Sequence, residues 1–517
     1  MIASAHHRGT PPVLALPCPT TGRLTAGVAL MLGVLGWLLL RAIQPMNDVV
    51  WQFWIARQML GGTRLYTDIW EVNPPLWFWS AMPVEALAES TGIGWQSLLS
   101  AAVAASGAFS AWLVVRIVAP SRPVPSLALL VLVFAMTTLL PLSGVGQREP
   151  WTLILCLPYT ALIARRRMRL PVSTSMAVTV GVLGACGFAL KHYFVLVPLV
   201  LEGWLALGLK RGWRLWRAEL LALCVLGLAY GLAVLTLAPD FLRVIVPMVR
   251  LAYNAGPPPL VLALVKPCGV AWLLTGSFLW LMRHEPRRKL GPVVDALYPA
   301  LLLVTACFVL AYLIQQRGWD YHSMAASGSL AIALGLQALR MTRRGPTLVA
   351  LLLLGGMMVF LYPPRPAGGT HDPALDRVAA GEAVFVASHD AGATWPAPET
   401  RHLRWASRAY SLWMVPAILG GERYGPDNPA LRDLGAKVVR ETSRDIRCTP
   451  PALILLESMP GDRAGTSTFD AFLKRDADLR AFLAAHYTAL PATPRSMAYE
   501  RQGVVAPDPR LSCRVIR

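Results

Sequence analysis

"AGVALMLGVLGWLLL", Ala26 to Leu40, decides what kind of chain this is. No charge interrupts it, and the span it belongs to covers about residues 24–43, with Arg41 near its end. A helix of about 17–25 apolar residues is what the ~30 Å hydrocarbon core of a bilayer demands. The run is too long for a signal-peptide core, and no small-residue cleavage site follows before Arg41, so it reads as an uncleaved anchor. "LALLVLVFAMTTLLPL", Leu127 to Leu142, repeats the pattern. Of the 517 residues 55% are hydrophobic and 15% charged, where soluble domains carry about 25% charged residues. Mean hydropathy is +0.49. The class is therefore an all-α polytopic membrane bundle.

Candidate spans fall near 24–43, 74–89, 95–116, 125–142, 149–164, 175–190, 193–209, 216–238, 259–281, 293–314, 321–340 and 346–362, about twelve by hydropathy. Residues 1–23 form a polar leader, and residues 24–363 the membrane domain with a first outer loop over 44–73. The net charge of +19 divides unevenly: residues 1–364 hold 28 Lys/Arg against 12 Asp/Glu, and residues 365–517 hold 20 against 17. The excess sits in loops of the membrane part: Arg116/Arg122, "ARRRMRL", "LKRGWRLWR", "RHEPRRK" and "RMTRRG". That is orientation by cytoplasmic basic loops, and it argues against nucleic acid as a partner. It places the leader inside and the segments "SGVGQREP", "KHYF", "PDFLRVIVPMVR" and "QQRGWDYH" outside, on the periplasmic side of an inner membrane. One conflict follows. Two full crossings between residue 44 and Arg116 leave the Arg116/Arg122 loop outside. Either residues 74–92 dip in and return, or that loop breaks the rule.

From Pro363 the composition changes. "PPRPAGGTHDP" reads as a linker, and 364–517 as a small α/β domain on the outer face. "EAVFVAS", "KVVR" and "ALILLES" read as buried strands. "FDAFLKRDADLRAFLAAHY" reads as helix, with Phe472, Leu473, Leu479, Phe482 and Leu483 on one stripe. Cys448 and Cys513 pair in an oxidising compartment or remain two thiols. Cys18, Cys156, Cys186, Cys224, Cys268 and Cys307 are widely spaced, with no C-x-x-C, and read as small apolar side chains.

Acids at a bilayer edge need a reason. The membrane part has twelve, and Asp48, Asp68, Glu71, Glu149 and Asp320 all fall on its outer side. "NDVVWQFWIARQML", Asn47 to Leu60, reads as an interfacial helix capped by Asn47, with Trp51, Phe53 and Trp54 at headgroup level. Asp48 and Gln52 share a face, and Arg57 lies nearly opposite. The plainer alternative is a solvated loop helix with an acidic cap. In "GGTRLYTDIWEVNPPLWFW" the glycines end that helix, and Pro74-Pro75 fix the start of the next segment. Asp68 and Glu71 share a face there, or are solvated turn acids. Arg148, Lys191, His192, Arg317 and His322, with Asp320 beside them, are positioned to take a lipid phosphate, or snorkel as ordinary helix-end side chains. There is no P-loop, no G-x-G-x-x-G after a strand, no G-x-S-x-G and no H-E-x-x-H. That argues against an ATP-driven pump and against a soluble nucleotide-sugar donor.

An acid on a juxtamembrane helix followed by "G-x-x-LY-x-D…NPPL" resembles the GT-C superfamily of integral-membrane glycosyltransferases, whose members include protein O-mannosyltransferases, the aminoarabinose transferase of lipid A and lipopolysaccharide-core transferases. The likeness rests on Asn47–Trp79, with support from "GQREP", "LKHYFVLVP" and "QQRGWDYH". It implies an inverting transfer of sugar from a polyprenyl-phosphate lipid to a glycan, lipid or protein acceptor at the outer face. It assigns Asp48 as catalytic acid/base and Glu149 as a second acid. Asp68 and Glu71 would orient the substrates, and the cations would hold the lipid phosphate. Many members carry an acidic pair where this chain has Asn47-Asp48. That weakens the case for a divalent metal at this point without closing it. The competing expectation is a transporter or flippase of a lipid-linked or anionic solute. Against it, the sequence shows no internal repeat and its polar groups gather at one edge. A non-catalytic scaffold would leave those acids unexplained.

Overall fold

In the computed structural model, residues 19–118, 123–254, 275–364 (except 277, 281 and 316), 372–424 and 428–513 (except 460, 464 and 465) are described. The leader up to Cys18, Arg122, most of the 259–281 span with Cys268, Gln316 and the middle of the Pro-Gly linker lie outside them.

Helix α1 (Pro19–Leu40) is followed by α2 (Asn47–Leu60), α3 (Leu76–Thr91) and α4 (Trp95–Val118). Two contacts fix their direction. Trp37, near the end of α1, donates its indole N–H to the carbonyl and hydroxyl of Ser97, each at 3.2 Å, at the start of α4. At the other end, a Cβ on Gly22 would sit 3.1 Å from the Arg116 guanidinium. So α1 and α4 form an antiparallel hairpin, and everything between them lies on one face. The expected crossing at 74–89 is thus overturned: α3 does not cross. It is 16 residues long, holds Pro83 in its interior, and buries Glu85 against Arg57 of α2 at 2.6 Å. At 1.5 Å per residue such a helix reaches ~24 Å, short of the hydrocarbon core. The conflict over Arg116 disappears with it.

The chain continues through α5 (Pro123–Phe134, running on through a wide turn to Leu139), α6 (Arg148–Arg167), α7 (Thr174–Phe188), α8 (Leu196–Leu209), α9 (Ala218–Leu237) and α10 (Val246–Asn254). Three further helices close the bundle: Pro292–Gln315, Met324–Leu339 and Arg344–Leu361. Among the described residues six helices are long and apolar enough to cross a membrane, and Pro123–Leu139 and Thr174–Phe188 are shorter apolar ones. The basic clusters meet on one face. Arg165 donates to the Ile117 carbonyl at 2.9 Å, Arg166 pairs with Glu219 at 3.0 Å, Arg288 donates to the Leu339 carbonyl and Arg340 pairs with Asp295 at 2.8 Å. Leucines on α1 and α9 (Leu30, Leu39, Leu228, Leu235) remain exposed, as side chains facing lipid do. In contrast, α6 and Met324–Leu339 are buried nearly throughout and form the centre of the bundle.

Residues after 371 fold on the opposite face, over α2. The sheet order is β2-β1-β3-β5-β4. Strand β1 (Ala383–Ala387) runs parallel to β2 (Arg404–Trp405) and β3 (Leu453–Glu457), whereas β5 (Ser496–Arg501) is antiparallel to β3 and to β4 (Tyr487–Ala489). Two of the expected strands are β1 and β3. "KVVR" is not a strand: it lies inside the helix Pro429–Cys448, whose buried Leu431, Leu434, Val438, Thr442 and Ile446 recur at three- and four-residue spacing. Four residues are too few to tell the two periods apart. The expected Phe472–Leu483 stripe is real but split. Helix Thr468–Leu473 ends, and Asp476 caps Ala477–His486 through the Leu479 N–H at 2.8 Å. Cys448 and Cys513 are joined as a disulfide across a sequence separation of 65.

Candidate active site

The site forms where α2 is held between the bundle and the C-terminal domain. α2 starts without a side-chain cap. Met46 is the N-cap residue, and its carbonyl accepts from the N–H groups of Val49 and Val50. Asn47 is therefore inside the first turn, and Asp48 follows it. Nor is α2 a surface helix in lipid headgroups: Val49 to Ala56 are all buried. Trp51 and Trp54 stack on each other at 4.5 Å and meet Trp395 and Tyr410 of the C-terminal domain, not lipid. Phe53 stacks on Trp95 below. The apolar band that sequence assigns to headgroups is covered by protein. Gln52, on the Asp48 side, donates to the Trp77 carbonyl at 2.5 Å.

Glu71 reaches the same place from the first outer loop. It is 3% exposed and fully engaged: Trp51 Nε1 donates to Oε2 at 2.7 Å, and the Asn73 backbone and amide N–H groups donate to Oε1 at 2.9 and 2.7 Å. Burial pushes its carboxyl above the usual range, against those donors. Its role is to lock the loop onto α2.

Arg148 and Glu149 open α6. The turn before them needs glycine: Gly146 has φ +81, and a Cβ there would come within 2.8 Å of Leu99 and 3.0 Å of Val49. The Gly146 carbonyl accepts from Trp77 Nε1 at 3.3 Å, which sets the turn against α3. Arg148 is 1% exposed, and its guanidinium lies 4.5 Å over the Trp77 ring. Among the described residues its Nε and Nη1 have no hydrogen-bond partner. Asp48, Glu71, Glu149 and Tyr321 all act on it electrostatically.

Glu149 Oε1 takes Lys191 Nζ at 2.5 Å, and Lys191 also donates to Gln315 at 3.0 Å. Lys191 has three donors, so one is left over. Burial drives its pKa down to about 8, with Glu149 opposing. His322 Nε2 is 4.0 Å from Glu149, while its Nδ1 has no hydrogen-bond partner among the described residues. His322 is buried close to the cations Lys191 and Arg148.

The structure therefore brings together Asp48, Glu71, Arg148, Glu149, Lys191 and His322. Four sequence candidates stand apart. Asp68 pairs with Arg64 at 3.3 Å and faces Arg408. His192 is exposed and lies on Tyr193. Asp320 is exposed, with its carbonyl accepting from Ser323. Arg317 is at the rim, its guanidinium 3.4 Å over Tyr253. Sequence reasoning missed Tyr410, which donates to Asp48 from 362 positions away. No local pattern points to it. Tyr321, which the sequence places at the same edge in "QQRGWDYH", is assigned no role by sequence but acts electrostatically on Arg148. Among the described residues no three His, Cys, Asp or Glu side chains stand together as metal ligands. The donor set, with Asn47 beside Asp48 and Lys191 on Glu149, does not suit a divalent cation.

No protein-family model matches the chain, and no curated protein does. Among solved structures the chain is similar to ArnT from Cupriavidus metallidurans in the apo state. The TM-score is 0.43 and identity 15%, over 93% of this chain and 98% of that one. It is also similar to the arabinofuranosyltransferase AftD from Mycobacteria. There the TM-score is 0.46 and identity 12%, over 94% of this chain but 42% of that longer one.

Proposed function

We propose that this protein transfers a sugar from a polyprenyl-phosphate lipid to an acceptor hydroxyl at the α2 face of the membrane, the periplasmic side of an inner membrane. Asp48 accepts the acceptor's proton as the new bond forms between that oxygen and the sugar C1. The bond from C1 to the phosphate oxygen breaks on the opposite side of the ring, which inverts C1. The polyprenyl phosphate leaves as an anion. A carboxylate within hydrogen-bond reach of a hydroxyl is suited to that proton transfer, and pre-placed cations stabilise the charge that develops on the departing phosphate.

The observation that carries this reading is Arg148. A guanidinium buried with two N–H groups unmatched is costly unless an anion completes it. It lies within electrostatic reach of Asp48, at the end of the bundle that the first outer loop covers. Lys191 and His322 flank it, and Glu149 positions Lys191. No step needs a nucleotide or a metal. A transporter would place such groups near mid-bilayer, whereas these sit at the ends of spans.

The test is Asp48→Asn in the full-length protein, reconstituted in nanodiscs with polyprenyl-phosphate-linked hexoses and pentoses. Released polyprenyl phosphate is read by mass spectrometry, and its binding is read separately. Loss of turnover of about 10²–10⁴-fold is expected, the usual contribution of a positioned base, with binding retained. Turnover equal to that of the unmodified protein rules out Asp48 as the base.

A further inference from the structure

We infer that Tyr410, contributed by the C-terminal domain, positions Asp48, so that the catalytic carboxylate is complete only with that domain docked. The inference rests on the reading of Asp48 as base. The Tyr410 hydroxyl donates to Asp48 Oδ1 at 3.1 Å. That bond takes one of about four acceptor sites on the carboxylate and leaves others for the acceptor's proton. The tyrosine is itself held on every side. Its ring stacks on Trp51 at 5.0 Å with 21° between planes. Its loop is fixed by Trp405 Nε1 on the Ala409 carbonyl at 3.0 Å and by the Leu412 N–H on the Ser388 carbonyl at 2.8 Å.

The same loop docks the domain onto the membrane part. The Trp70 N–H donates to the Arg408 carbonyl at 2.7 Å, and Arg408 and Lys437 both lie over the Trp70 ring. Arg57 of α2 adds an ion pair to Glu399 at 2.8 Å. Burial and the adjacent Asp48 hold the Tyr410 phenol well above its usual range, so it remains a donor throughout the physiological span. The other groups acting on Asp48 come from different elements: Glu71 from the first outer loop, Arg148 from α6, Lys191 before α8, Tyr253 from α10, and Tyr321. Of these groups and Tyr410, it is Tyr410 that hydrogen-bonds Asp48.

The decisive variant is Tyr410→Phe, which keeps the stacked ring and removes only the hydroxyl. Trp395→Phe is the packing control, since Trp395 meets the same rings without touching Asp48. Both are made in the full-length protein. The first readout needs no substrate. The Asp48 carboxylate stretch, isolated as the infrared difference from Asp48→Asn, shifts in Tyr410→Phe and stays in place in Trp395→Phe. The second is turnover of lipid-linked sugar. In Tyr410→Phe kcat falls about 10–100-fold, the value of one hydrogen bond to a charged group. KM for the lipid donor stays within about twofold, because the phosphate cations are untouched. An unmoved carboxylate band in Tyr410→Phe overturns the inference, as does a loss in Trp395→Phe as large as that in Tyr410→Phe. If the unmodified protein turns over no lipid-linked sugar, the transferase reading falls. The infrared comparison then still decides whether Tyr410 holds Asp48.

Discussion

Replacing Arg148 by methionine isolates the step on which the proposed chemistry depends. The two side chains have similar length, and methionine adapts to irregular buried space, so the bed over Trp77 stays filled. What is lost is charge and donors. Arg148 Nε and Nη1 make no hydrogen bond among the described residues, and in the proposed reading both turn to the phosphate. Each hydrogen bond to a charged group contributes roughly 1.5–3 kcal/mol net, so two contribute roughly 3–6 kcal/mol. At 1.4 kcal/mol per tenfold, Kd for polyprenyl phosphate rises about 10²–10⁴-fold. Lys191 gives the internal comparison. Two of its three donors are already spent on Glu149 and Gln315, so Lys191→Met costs one such bond, about 10–100-fold. The assay is titration of full-length protein in detergent with undecaprenyl phosphate, read by native mass spectrometry. Near-UV circular dichroism of the Trp51–Trp54 stack serves as the check on folding. A folded Arg148→Met protein that binds within threefold of the original refutes the reasoning. So does a ranking in which Lys191→Met is the more damaging change.

Further outcomes follow from other parts of the structure. Because burial brings Lys191 to a pKa of about 8, its charge is present below that pH and lost above it. Undecaprenyl phosphate affinity therefore falls as pH rises through 8, not near 10.5, and Lys191→Met flattens that limb in the same titration. Gly146→Ala forces a left-handed backbone on alanine and a Cβ into Leu99 and Val49. The cost is about 1–3 kcal/mol, seen as a lower thermal midpoint together with weaker lipid-phosphate binding. Reducing Cys448–Cys513 reopens a loop closed across a separation of 65 residues. On chain entropy this is worth roughly 4 kcal/mol, with 2–4 typical. The C-terminal domain of the full-length protein becomes the first region cut by protease once dithiothreitol is added, and an unchanged cleavage pattern contradicts that estimate.

A membrane bundle, loops that share a face, and acids worth suspicion in the first outer loop and in "GQREP" are all legible in the chain before it folds. These properties are carried by contiguous residues. Twenty apolar positions in a row have only one cheap environment, and clustered Arg and Lys have a preferred side. Strands β1 and β3 were legible for the same reason, being short buried runs between turn residues. Contacts across the chain were not legible. Whether α3 crosses was decided by Trp37 on Ser97 and by Gly22 beside Arg116, pairs 60 and 94 positions apart. "KVVR" became helix because the stripe it belongs to extends well beyond its own four residues. Lys191 and His192 are adjacent basic side chains, yet one turns inward to Glu149 and the other outward, because the chain bends between α7 and α8. Above all, Asp48 meets Tyr410 only because two folded units dock. A hydrogen bond between residues 362 apart leaves no periodicity, spacing or composition in the chain from which it can be read.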